Sequence, residues 1–143
     1  MKEIEVKLLD NNAKVPVRAN ATDSGLDLYS LVDVTLKPFE SKTISTGIAI
    51  NLEEGYEAQV RPKSGITTKT GLRIQLGTVD DGYIGELGVM VDNIKGHTEH
   101  IKSGQKIAQL VVAPVVYPKV KLVEEFTRES DRGTNGFGST GLN

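Results

Sequence analysis

A chain of 143 residues, 38% of them hydrophobic, has the size of one domain and enough apolar content to bury a core. The 17 Lys and Arg against 19 Asp and Glu leave a net charge of -2, without the basic excess of a nucleic-acid binder, and the lack of Cys excludes disulfides, thiolate metal sites and Cys nucleophiles. Lys2, Glu3 and Glu5 stand where a signal peptide would be apolar, and no run is long enough to span a bilayer, so a cytoplasmic protein with neither membrane nor nucleic-acid partners is expected.

In chain order, apolar residues alternate with polar ones at Ile4, Val6 and Leu8, at Val32, Val34 and Leu36, and at Ile44, Thr46, Ile48 and Ile50. The alternation returns at Tyr56, Ala58 and Val60, at Leu87, Val89 and Val91, and at Val120 and Leu122. A period of two places alternate side chains on one face of a strand, so each segment is predicted to be a β-strand. The continuous apolar run 107–116 reads as a strand buried on both faces. Turn signals lie between these segments at Lys37-Pro38-Phe39-Glu40, Glu53-Glu54-Gly55, Asp81-Gly82 and Lys102-Ser103-Gly104. No long amphipathic helical stripe occurs, and the pattern predicts an all-β sandwich, barrel or jelly roll.

Four polar or Gly-rich stretches interrupt this pattern: DSGLDLYS (23–30), RPKSGIT (61–67), GTVDDGYIGE (77–86) and the tail RGTNGFGSTGLN (132–143). Glycines in the tail free backbone N–H groups to converge on an anion, with Arg132, Ser139 and Thr140 adding a charge and two hydroxyls. A disordered terminus explains the glycines equally well, but Phe137 is poorly placed for solvation and well placed to stack on a base. RPKSG offers two cations and a hydroxyl on a turn, suited to phosphate or simply to solvent. Asp80 and Asp81 fit plain hairpin chemistry, or a carboxylate that orients a water. His97 and His100 lack the helix and the partner ligands of a zinc site. Walker A, dinucleotide-binding and GxSxG patterns are missing.

Read together and in order, these stretches and SGQKIAQLVVAP (103–114) resemble the motif series of trimeric dUTPases: RGTNGFGSTG is similar to RGxGGFGSTG, GTVDDGY to GTIDxxY, and DSGLDLYS to DAGYDLYS. The resemblance spans nearly the whole chain. It implies a distorted jelly-roll or β-barrel in a single domain, with a β core over 1–126 and a mobile tail over 127–143 that closes on the site. It further implies a homotrimer with shared active sites that hydrolyses dUTP to dUMP and pyrophosphate with Mg²⁺, supplying dUMP and limiting uracil in DNA.

By the same resemblance Asp27 holds Mg²⁺ through water, and Asp80 binds the deoxyribose 3′-hydroxyl and orients the attacking water. Tyr83 lies under the sugar, Lys63, Ser64, Gly65 and Gln109 meet the phosphates, and Arg132, Gly138, Ser139 and Thr140 clasp them while Phe137 covers the uracil. The chain departs from the family pattern at Lys63, where Arg is usual, at Gln105, where an acidic residue is usual, and over 72–79, which is shorter than usual and lacks an Asn. Three other readings compete: a dCTP deaminase-like enzyme, a nucleotide-gated regulatory protein on the same scaffold, and a structural jelly roll. Ammonia release from dCTP separates the first, and pyrophosphate release from dUTP the others.

Overall fold

The computed structural model describes residues 1–138 and Gly141, so the expectations for Ser139 and Thr140 lie outside the described residues. The alternating segments become β1 (Glu5–Leu8), β3 (Val34–Leu36), β4 (Ser41–Asn51), β5 (Tyr56–Arg61) and β8 (Glu86–Asn93), and the continuous apolar run becomes β10 (Lys106–Pro114). Four short strands join them, β2 (Leu26–Tyr29), β6 (Leu72–Ile74), β7 (Gly77–Val79) and β9 (Glu99–Ile101), together with one helix, α1 (Ser64–Lys69). One sheet has the order β1-β4-β8-β6, a second β2-β10-β5-β7, and β3 pairs with β9 as a ribbon. Every strand pairing is antiparallel, as hairpin and Greek-key connections require.

Pleating decides what enters the core. Along β8, Leu87, Val89 and Val91 point inward and Gly88 and Met90 outward, and β4 beside it adds Ile44, which pairs with Val89, together with Ile48 and Ile50. The second sheet supplies Leu28, Ala58, Val60, Ile107 and Leu110 to the same apolar cluster. Each fully buried Val, Leu or Ile contributes about 1.5–3 kcal/mol of transfer free energy, which makes this inter-sheet cluster the main source of stability. Asn93 is the most buried of the few polar side chains inside, and its amide is satisfied by donating to the carbonyls of Leu36, Lys37 and His97 at 3.2, 3.2 and 2.8 Å.

Two expectations change. Asp80 and Asp81 do not tip a hairpin, because β7 pairs with β5 in the second sheet while β8 pairs with β4 and β6 in the first, so residues 80–85 carry the chain from sheet to sheet. The alternating Val120 and Leu122 form no strand within the chain. From Val116 to Gly138 every residue is exposed, and Val116, Tyr117, Val120, Leu122 and Phe126 stand with their apolar surface bare.

Candidate active site

Asp27 is the most buried acidic side chain of the described residues, at 4% exposure. Its neighbour Leu28 fills the core, so the pleat turns Asp27 to the outer face of the second sheet. Burial there comes from covering chain: the Asp27 N–H donates to the Val17 carbonyl at 2.8 Å, and two lysines close over the carboxylate. Lys63 Nζ donates to Oδ1, and Lys106 Nζ lies 3.2 Å from Oδ2. Burial pushes the carboxyl pKa up, but the hydrogen bonds and charges of Lys63 and Lys106 outweigh it and hold the group below the usual carboxylate range.

Lys106 is a site residue that alternation alone misplaces. Tyr29 pairs with Lys106 and Asp27 with Gln109, so β10 spends three steps where β2 spends two. This bulge buries both Ile107 and Ala108 and rotates Lys106 onto the face of Gln109 and Asp27. Gln109 lies directly between Asp27 and Arg61 across the sheet, and its amide donates to the Pro62 carbonyl at 2.9 Å, fixing the loop that presents Lys63. The approach is close enough that a Cβ on Gly25 would overlap the Gln109 side chain. Ser64 and Gly65 then open α1 immediately beside Lys63, and the space beside Gly65 is open. Of the two cations in RPKSG, only Lys63 joins this group. Arg61 turns along its own strand to Gln59, with Nε and Nη2 at 3.0 and 2.8 Å from Oε1.

Asp80 and Tyr83 lie elsewhere on the chain. Val79 pairs with Ala58, whereas Asp27 is level with Gln109 and Arg61. Counting along β5 and across from β7 to β2 puts Asp80 about 13 Å away along the strands and about 14 Å across them, roughly 19 Å in all. The Asp80 carboxylate is exposed and accepts no hydrogen bond from the described residues. Its carbonyl accepts the Tyr83 N–H at 3.1 Å, and the Tyr83 hydroxyl donates to the Glu86 carbonyl at 2.7 Å, which sets the ring on the same turn. On the arm, Arg132 donates to the Asn135 carbonyl at 2.7 Å, Gly138 takes φ 74°, and Phe137 is fully exposed. One chain therefore gathers Asp27, Lys63, Ser64, Gly65, Lys106 and Gln109, and leaves Asp80 with Tyr83, and Arg132 with Phe137, as two separate groups.

Residues 11–141 match the dUTPase family. The chain belongs to that family. It is 44% identical over 139 residues to a deoxyuridine 5'-triphosphate nucleotidohydrolase of Clostridium novyi, covering 96% of this chain and 97% of that one. A protein of the same name from Ehrlichia canis is 44% identical over 142 residues, with 96% and 93% covered. Among solved structures, the dUTPase of Staphylococcus bacteriophage 80alpha with dUPNHPP matches with a TM-score of 0.96 at 36% identity, over 99% of this chain and 100% of that one. A mutant dUTPase from phage phi11 of Staphylococcus aureus, in which a structural Mg(II) ion is coordinated, matches with a TM-score of 0.86 at 33% identity, over 89% and 100%.

His97 and His100 take no part in these groups. His97 Nε2 lies 3.0 Å from Glu99 Oε1, and His100 Nδ1 lies 3.2 Å from Thr35 Oγ1. No helix of the described residues is long and apolar enough to cross a membrane.

Proposed function

We propose that this chain hydrolyses dUTP to dUMP and pyrophosphate by water attack on the α-phosphorus, as a cytoplasmic homotrimer whose sites are each assembled from several subunits. Membership of the dUTPase family supports the reaction. The observation that carries the shared site is the wide separation, within one chain, of Asp80 from the Asp27–Lys63–Gln109 group. Two groups that must act on one nucleotide come together when a neighbouring chain brings its own Asp80 turn to the Lys63 loop.

In this reading Lys63, the Ser64 hydroxyl, the open backbone beside Gly65, and Gln109 take the triphosphate, and Lys106 adds a second cation beside them. Asp80 accepts a proton from the attacking water and holds the deoxyribose 3′-hydroxyl. Tyr83 packs under the sugar and disfavours a 2′-hydroxyl. Arg132, Phe137 and Gly138, with Ser139 and Thr140, belong to a closing tail over 127–143 that excludes bulk water. Attack on a polyanion needs neutralisation and alignment more than covalent catalysis, and the lysines and the turn carboxylate divide those two tasks.

Mg²⁺ suits this donor set. Asp27 supplies an oxygen donor of the kind a hard ion holds through its water shell, and Lys63 and Lys106, which now cover both of its oxygens, would turn to the phosphates as the ion approaches. Bound Mg²⁺ would neutralise phosphate charge, with Asp27 holding it through water. The test is pyrophosphate release from dUTP by the purified protein with Mg²⁺. Release of pyrophosphate without ammonia from dCTP is expected; no turnover of dUTP, or deamination of dCTP, contradicts the proposal.

A further inference from the structure

Asp81, adjacent to the proposed catalytic carboxylate, is tied to two other segments. Its Oδ2 accepts the Tyr117 hydroxyl and, at 3.3 Å, the backbone N–H of Gly55. The same Gly55 N–H lies 3.0 Å from the Tyr117 oxygen, and the Gly55 carbonyl accepts the Val115 N–H at 2.8 Å. Gly55 holds φ 91°, a conformation that glycine adopts without strain and that aims its N–H into this junction. Three segments meet in this knot: the turn between β4 and β5, the sheet-to-sheet crossing at 80–85, and the root of the exposed arm just beyond β10.

Asp81 is half-buried while Asp80 beside it is exposed and without a side-chain partner among the described residues. Nothing on the Asp80 side chain itself fixes its direction, so its position is set by the backbone of the turn. That backbone is held at Asp80 by the Tyr83 N–H and at Asp81 by the knot. The Asp81 hydrogen bond holds the Tyr117 hydroxyl above its ordinary pKa, in keeping with a hydroxyl that donates to a carboxylate.

We propose that Asp81 and Tyr117 are positioning residues for hydrolysis, which lock the turn bearing Asp80 to the root of the arm bearing Arg132 and Phe137. This rests on the reading of Asp80 given above. Orientation of the attacking water, and not capture of the nucleotide, is what the pair secures, so its loss acts on kcat.

The experiment measures kcat and KM for dUTP with Mg²⁺ for Tyr117→Phe, Asp81→Ala, Asp81→Asn and the Asp81→Ala/Tyr117→Phe double variant, with thermal midpoints, and includes Asp80→Asn. Tyr117→Phe is expected to lower kcat roughly ten- to a hundredfold with KM nearly unchanged, as expected for a misplaced reacting group. The double variant should lose far less than the product of the two single losses, since both remove the same Asp81–Tyr117 contact and the double adds only the loss of the second acceptor of the Gly55 N–H. Asp81→Asn should retain more activity than Asp81→Ala, because its amide oxygen still accepts the hydroxyl. Wild-type kcat in Tyr117→Phe, losses that multiply in the double variant, or a drop that vanishes after correction for folded fraction each overturn the positioning role. Full activity in Asp80→Asn instead overturns the underlying reading, whatever Tyr117→Phe does.

Discussion

In the proposed mechanism Asp80 is the residue on which the chemistry turns. An exposed carboxylate with no internal partner is free to accept a proton from water, whereas Asp27 is held charged by two lysines and would have to give them up to act as a base. Asp80→Asn keeps the shape but loses the acceptor, so kcat should fall by roughly 10²–10⁴-fold while dUTP binding, measured calorimetrically, survives. Unimpaired turnover in that variant would remove Asp80 from the mechanism. A second residue carries strain unconnected with the site. Phe39 sits at φ 61° on the turn between β3 and β4, in the left-handed region that costs a side-chain-bearing residue about 1–2 kcal/mol, and it is 73% exposed, so little packing offsets that cost. Phe39→Gly should stabilise the fold by about 0.5–1 kcal/mol once the extra freedom of glycine in the unfolded chain is counted. A lowered urea midpoint would show that the ring makes contacts worth more than the strain. Lys106 marks what a sequence hides at this scale: its type and place were plain, but the bulge that turns it toward Asp27 depends on pairing with a strand some 80 residues earlier.

At the scale of elements, the apolar pattern was a faithful guide to where the longer strands lie. Burial in β5 and β8 follows the two-residue period, whereas β4 is buried without interruption from Thr46 to Ile50 around its irregularity, and β10 buries the adjacent pairs Ile107 with Ala108 and Leu110 with Val111. β6, β7 and β9 have three residues each, too few for a period to stand out, and β2 lies inside a stretch whose Asp and Ser residues read as loop. In β2 the polar residue faces away from the core, and in the proposed site Asp27 serves the ligand. β9 also carries a tie that acid should loosen. Glu99 accepts the Gly71 N–H at 2.7 Å and lies 3.0 Å from His97 Nε2, joining β9 to the chain just after α1. The Gly71 hydrogen bond, followed by His97 against an opposing effect of burial, holds its carboxyl below the usual range. A depressed folded-state pKa means that the stabilisation is present above the unfolded value of about 4.3 and disappears as pH falls through the folded value. Glu99→Gln should therefore cost about 1–2 kcal/mol at pH 7 and progressively less below about pH 4. A penalty that stays constant from pH 7 to pH 3 in urea titrations would contradict the charge-based account.

For the whole molecule, the sequence showed a strand-like alternation at Val120 and Leu122 that the single chain leaves without a partner, on an arm whose apolar side chains are bare from Val116 to Phe126. The pattern was legible, and among the described residues no strand pairs with it. The motifs of the site could likewise be read in order along the sequence, while in the proposed trimer their grouping depends on which chain contributes each. The direct measurement is activity in mixed trimers of two inactive proteins, one carrying Asp80→Asn and the other Lys63→Ala with Ser64→Ala. If the Asp80 turn and the Lys63 loop of each site come from different chains, equal co-expression with random assortment should restore about a quarter of the wild-type sites. Mixed trimers verified by mass that remain inactive would contradict the shared site, because a site built within one chain could never be whole in such a mixture.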